Sequence, residues 1–77
     1  MSKSKAYRIS KLINRESKAI EQCNKLWSDH ADEHTGLIHP DYWNEYVHMR
    51  VGISVRAKLI HDLGGSLDGL PSIVTAS

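Results

Sequence analysis

An apolar stripe with helical spacing runs through the first half of the chain and limits what the chain can fold into. Its members recur three and four positions apart without a break: Ala6, Ile9, Ile13, Glu16, Ile20, Cys23, Trp27, His30 and His34. Leu12, Ala19 and Leu26 widen the stripe on one flank, and neither Pro nor Gly interrupts it. This spacing places the residues on one face of an α-helix. We therefore predict one long helix over residues 4–34, with Gly36 in the left-handed conformation just past its end.

A second helical pattern covers residues 40–63. Pro40 suits the first position of a helix, and Asp41 places an acid where the helix dipole favours one. The main apolar stripe consists of Tyr42, Tyr46, Met49, Ile53, Ile60 and Leu63. Further apolar residues spread around the helix: Trp43, Val47, Val51, Val55, Ala57 and Leu59. Gly64 and Gly65 should end this helix.

Two helices joined by about five residues form an antiparallel hairpin. The fold class is therefore all-α, with residues 1–77 in a single helical-hairpin domain. The tail, residues 64–77, contains apolar residues around Gly69 and Pro71. We expect it either to form a short capping turn followed by an extended segment packed on the helices, or to act as a swapped arm.

Charge is segregated along the chain. Residues 1–20 carry a local balance of +5, residues 21–45 carry −5, and the total is only +1. This order is unfavourable for the dipole of the first helix. Folding back should also bring Arg56 and Lys58 beside the basic N-terminus, so that like charges meet. A second hairpin packed antiparallel would correct both problems, and we expect a homodimer that forms a four-helix bundle. The alternative is that these charges are screened by solvent.

Composition excludes several classes of protein. Cys23 is the single cysteine of the 77 residues, so the chain can form neither an internal disulfide framework nor a thiolate metal cluster. No apolar run has the roughly 18 residues that a membrane span needs. We expect a soluble, cytoplasmic protein without a membrane partner. Because no nucleophile and base lie in a recognisable arrangement and no Gly-rich phosphate loop is present, we predict no enzymatic activity.

A row of basic residues lies opposite the apolar stripe of the first helix. This basic face comprises Arg8, Lys11, Arg15, Lys18 and Lys25. It is either a solvated surface or a contact for phosphates or for an acidic protein. The sequence has no aromatic residues interleaved as a stacking platform, so the pattern is weak as a nucleic-acid signature.

Three histidines could bind a divalent metal, the one cofactor that the sequence leaves open. His30 and His34 are four residues apart on a helical face, with His39 or Glu33 as a third ligand. The alternative is structural, since a histidine at a helix end commonly hydrogen-bonds the last carbonyl groups.

Aromatic residues gather around the interhelical turn in what we term the aromatic cluster: Trp27, Tyr42, Trp43 and Tyr46. Such residues fill the ends of helical bundles, and they also anchor protein interfaces. Cys23 lies in the apolar stripe and is expected to be a small buried hydrophobe.

The favoured function is a non-enzymatic adaptor or inhibitor that binds a larger protein as a helical dimer. The alternatives are a nucleic-acid-associated regulator using the basic face and, less favoured, a metal-binding helical protein.

Overall fold

The protein is a hairpin of two α-helices, seen in a computed structural model that describes residues 4–73. Helix α1 spans Lys5–His30, a short 3-10 helix spans Pro40–Tyr42, and helix α2 spans Trp43–Asp62. The molecule is elongated, with extents of 52 × 20 × 17 Å. Within the described residues the one β-type feature is an isolated bridge between Ala31 and Ile38. The predicted all-helical hairpin is confirmed.

Helix α1 begins where the sequence indicates. Ser4 is its N-cap, and the Ser4 side chain accepts a hydrogen bond from the backbone N–H of Tyr7 at 3.2 Å. This contact satisfies one of the amide groups that every helix start leaves unpaired.

Helix α1 ends four residues earlier than predicted, at His30 rather than at His34. Ala31 adopts an extended conformation, and the next residues form a tight loop closed by the Ala31–Ile38 bridge. Asp32 holds this loop, because its Oδ1 accepts hydrogen bonds from the backbone N–H groups of His34 and Thr35. A short acidic side chain competes in this way with helical hydrogen bonding. Gly36 is left-handed as predicted, with φ of 72°, but lies in this loop and not at the helix end.

Helix α2 starts later than predicted. Pro40 does occupy a first helical position, but of the short 3-10 helix, and α2 itself begins at Trp43. The His39 imidazole caps this segment by accepting a hydrogen bond from the Asp41 amide at 3.2 Å. At the other end, Gly64 follows the last turn with φ of 88°, so the predicted glycine stop is confirmed.

The core lies between the predicted stripes of the two helices, with one addition from the loop. Its buried apolar residues are Ile20, Cys23, Trp27, Ile38, Tyr46, Ile53 and Ile60. Glu16 is also fully buried, in the middle of the α1 stripe, where its Oε1 accepts a hydrogen bond from Arg56 Nη1 at 2.9 Å. The core therefore contains an ion pair between the two helices.

The sequence predicted that Arg56 would lie beside basic residues, but in the structure it lies against the acidic Glu16. Arg56 meets Glu16, and Lys58 pairs with Asp62 at 2.9 Å. On α1, Lys25 pairs with Asp29 at 2.8 Å and offsets an acid that lies at the unfavourable end of the helix dipole. Lys3, one of the basic residues of the N-terminus that Arg56 and Lys58 were expected to approach, lies outside the described residues. The charge pattern thus supplies less reason for a dimer than the sequence indicated.

The described part of the tail packs along the hairpin. Leu70 and Ile73 pack against the core, and the Asn24 side chain donates a hydrogen bond to the Ser72 carbonyl group at 2.8 Å. The described part of the tail takes the first of the two predicted forms, a turn over residues 67–70 followed by residues 71–73 without helix or strand, packed on the same hairpin. Residues 74–77 of the predicted tail lie outside the described range.

Within residues 4–73, neither of the two helices is long and apolar enough to cross a membrane.

Candidate protein-interaction surface

A groove of about 510 Å³ opens at the end of the hairpin where the interhelical loop meets α2. Its buried walls are Trp27, Ile38 and Tyr46, and its exposed rim is formed by Leu37, Pro40 and Trp43. Arg50 completes the lining. We call this feature the aromatic groove. It brings three of the four residues of the predicted aromatic cluster to one surface.

The rings of the aromatic cluster differ in their surroundings. Trp27 and Tyr46 meet edge to face at a centroid distance of 4.9 Å, and Trp43 lies 5.7 Å from Tyr46. Trp43 is 50% exposed, whereas Trp27 and Tyr46 are buried. Tyr42 stands apart from the groove and stacks on the His30 ring at 3.5 Å. The cluster therefore contains core residues and one solvent-exposed indole, in keeping with both of the roles that the sequence left open.

A second apolar surface runs along the outer face of α2. Every fourth residue of this helix is a large exposed hydrophobe, which gives the α2 stripe: Trp43, Val47, Val51, Val55 and Leu59. Val51 and Val55 are the most exposed of these, at 57% and 65%. Residues four apart form a continuous ridge on a helix, and such ridges interlock in the commonest class of helix packing. Helix α2 is therefore apolar both toward α1 and toward solvent.

The basic face is on the surface, as predicted. All five of its residues are exposed, and Lys25 is engaged with Asp29. The hydrogen bond from Lys25 holds the pKa of the Asp29 carboxyl below its usual value. No ion pair within residues 4–73 involves Arg8, Lys11, Arg15 or Lys18. Four cations are thus displayed along one side of α1.

The three candidate metal ligands do not converge. His34 lies in the loop, because α1 ends before reaching it, and the face that it was predicted to share with His30 does not exist. The His30 ring is stacked on Tyr42, and His39 Nδ1 accepts a hydrogen bond from a backbone amide. Across residues 4–73, no three histidine, cysteine or acidic side chains come together as a metal site would require.

Arg50 is the site residue that the sequence argument missed. Its Nη1 donates a hydrogen bond to the Tyr46 hydroxyl at 2.8 Å, and its guanidinium lies 5.8 Å from the centre of the same ring. Its position in the sequence could have indicated this contact, because Arg50 follows Tyr46 by one helical turn on a helix that is otherwise rich in apolar residues. The sequence predicts only a connecting loop at Leu37 and Ile38, and nothing in the helical spacing indicates that they line a groove.

Cys23 is a fully buried free thiol, as the sequence indicated. Burial raises the pKa of this thiol, while the positive charge of Arg50 partly opposes the rise. A thiol in this state is a poor nucleophile near neutral pH.

In comparisons with known proteins, no family model, curated protein or solved structure matches this chain.

Proposed function

We propose that this protein is a non-enzymatic interaction module that forms a homodimer through the α2 stripe and binds a larger protein partner. The observation that carries the proposal is the stripe itself, since contiguous exposed apolar surface on a small protein marks an interaction site. The free thiol of Cys23 supports a reducing, cytoplasmic setting.

The extent of the α2 stripe supports the dimer. Its five exposed apolar side chains follow one another along nearly the whole of α2, from Trp43 to Leu59. Packing two α2 helices against each other around Val51 would cover the middle of the stripe and bring four helices together as a bundle.

Sedimentation equilibrium at micromolar concentration tests the dimer. We expect the native chain to sediment at twice its mass of 8.7 kDa. The double variant Val51→Asp and Val55→Asp should sediment as a monomer with unchanged helicity, because both side chains face solvent within one hairpin. Gln22→Asp, an exposed change on α1, is the matched control and should remain dimeric. A native monomer, or a dimer that tolerates both aspartates, would contradict the proposal.

A second candidate function is supported by the four cations of the basic face that form no ion pair within residues 4–73. In a nucleic-acid-associated regulator these residues would contact phosphates, and a dimer would present two such faces. Binding of random duplex DNA should then fall steeply between low and moderate salt, because phosphate contacts release condensed counterions. No binding at low salt would remove this candidate.

A further inference from the structure

The aromatic groove carries a positive charge that no acidic side chain of the described residues neutralises. Among the described residues that line it, Arg50 is the one charged side chain. No acidic side chain of residues 4–73 forms an ion pair with Arg50. Its Nε is buried and has no hydrogen-bond partner within the same residues. The Tyr46 hydroxyl and ring are neutral and offset only part of the lost hydration, and a carboxylate supplied from outside would add the missing opposite charge.

The shape of the groove favours a protein segment over a compact small molecule. Pockets for small molecules enclose most of the ligand surface. Here the rim residues Leu37 and Trp43 remain 46% and 50% exposed, so much of the apolar area lies where only a larger partner would cover it. The residue types that line the groove also favour a protein partner, because Trp, Tyr and Arg are the residues that dominate binding energy at protein interfaces.

We propose that the aromatic groove binds a segment of the partner protein that presents a bulky apolar side chain next to a carboxylate. The apolar side chain lies against Trp27 and Ile38 between the rim residues. The carboxylate pairs with the Arg50 guanidinium, which the Tyr46 hydroxyl holds in place. This inference rests on the proposed interaction function and names the chemistry of its partner. Trp43 belongs to both the groove rim and the α2 stripe, whereas Leu37 and Arg50 lie outside the stripe, so variants of these two residues test the groove separately from the dimer.

Selection from a displayed library of random peptides tests the chemistry of the segment. We expect the full-length protein to enrich peptides with Asp or Glu beside Leu, Ile, Phe or Trp. The charge-reversed variant Arg50→Glu should lose the acidic preference while it keeps the apolar one. Enrichment without an acidic preference, or no enrichment at all, would overturn the proposal.

Titration of the selected consensus peptide locates the site, with tryptophan fluorescence as the readout. Replacing the acidic residue of the peptide with its amide should weaken binding at least tenfold to the native protein and hardly at all to Arg50→Gln. Leu37→Ser should weaken binding of both peptides, because it removes part of the apolar rim. Arg15→Gln removes the same charge from the basic face and should bind like the native protein. If Arg15→Gln has the larger effect, the peptide is held by the basic face and the groove assignment is wrong.

Circular dichroism and sedimentation separate this result from the other proposals. Arg50→Gln and Leu37→Ser should retain native helicity, since Leu37 is exposed and Arg50 makes its hydrogen bond to Tyr46 within α2 itself and not to another element. A normal dimer that shows no peptide preference would leave the proposed dimer standing and refute the groove. A monomer that still selects acidic apolar peptides would refute the dimer and support the groove.

Discussion

Arg56 and Glu16, forty residues apart in the chain, form an ion pair between the two helices with Nη1 and Oε1 separated by 2.9 Å. The Glu16 side chain is 1% exposed, whereas that of Arg56 keeps 29% of its surface in solvent. The second carboxylate oxygen of Glu16 is buried and has no hydrogen-bond partner among residues 4–73. Among the described residues, Arg56 is therefore the one side chain that offsets the charge of this carboxylate.

Removing one member of this pair should cost far more stability than removing both. We expect Arg56→Met to lower the free energy of unfolding by about 3 kcal/mol, because it leaves a buried carboxylate without its cation. The double variant Glu16→Leu with Arg56→Met should recover most of that loss. Urea denaturation of the three proteins measures the difference. Equal losses in the single and the double variant would show that the charge of Glu16 is not the cause.

Cys23 should make stability depend on pH in the alkaline range. Burial raises the pKa of the thiol above its ordinary value of 9.0, so the folded state holds the proton more tightly than the unfolded state. The contribution of Cys23 is therefore complete below pH 9.0 and is lost as the pH rises above it. Urea denaturation across this range should show a decline for the native protein that is smaller in Cys23→Ala. Identical pH profiles would contradict the assignment.

Gly65 lies where the tail leaves α2, and we predict that a methyl group cannot be added there without cost. A Cβ at this position would lie 2.7 Å from Ile9 Cγ2 and 2.8 Å from Ile60 Cγ2, inside ordinary contact distance. Gly65→Ala should destabilise the protein by about 1–3 kcal/mol through overpacking. Gly69→Ala is the matched control, because no atom lies within 4 Å of its added Cβ. Thermal melting should separate the two variants, and similar melting temperatures would show that the tail is displaced at little cost.

The basic face should contribute to binding and not to folding. Four of its cations form no ion pair with any described residue and are all exposed: Arg8, Lys11, Arg15 and Lys18. Gln has a similar helix propensity. Replacing all four with Gln should leave helicity and the mass in solution nearly unchanged. Duplex binding, where the native protein has it, should be lost, because fewer phosphates are neutralised. If the variant no longer dimerises, these residues belong to contacts between subunits.

The sequence by itself determined the parts of this protein that depend on local periodicity. The spacing of Ile20, Cys23 and Trp27 predicts one buried helical face, and these three side chains are buried. A helix start at Ser4 and a stop at Gly64 follow equally from short-range chemistry. Each of these features depends on neighbours within about one helical turn.

Only the tertiary structure decided which distant residues meet. Glu16 stands out in an apolar stripe, yet the choice of Arg56 over Lys58 as its partner depends on how far the hairpin is folded back along itself. Helix α1 ends at His30 and not at His34, because the loop buries Ile38 and pairs it with Ala31. Helical periodicity contains no information about this favourable contact. The same packing turned one apolar face of α2 inward and left Val51 and Val55 in solvent. A helix that is apolar all around can pack on either side, and contacts between elements select the side that is buried.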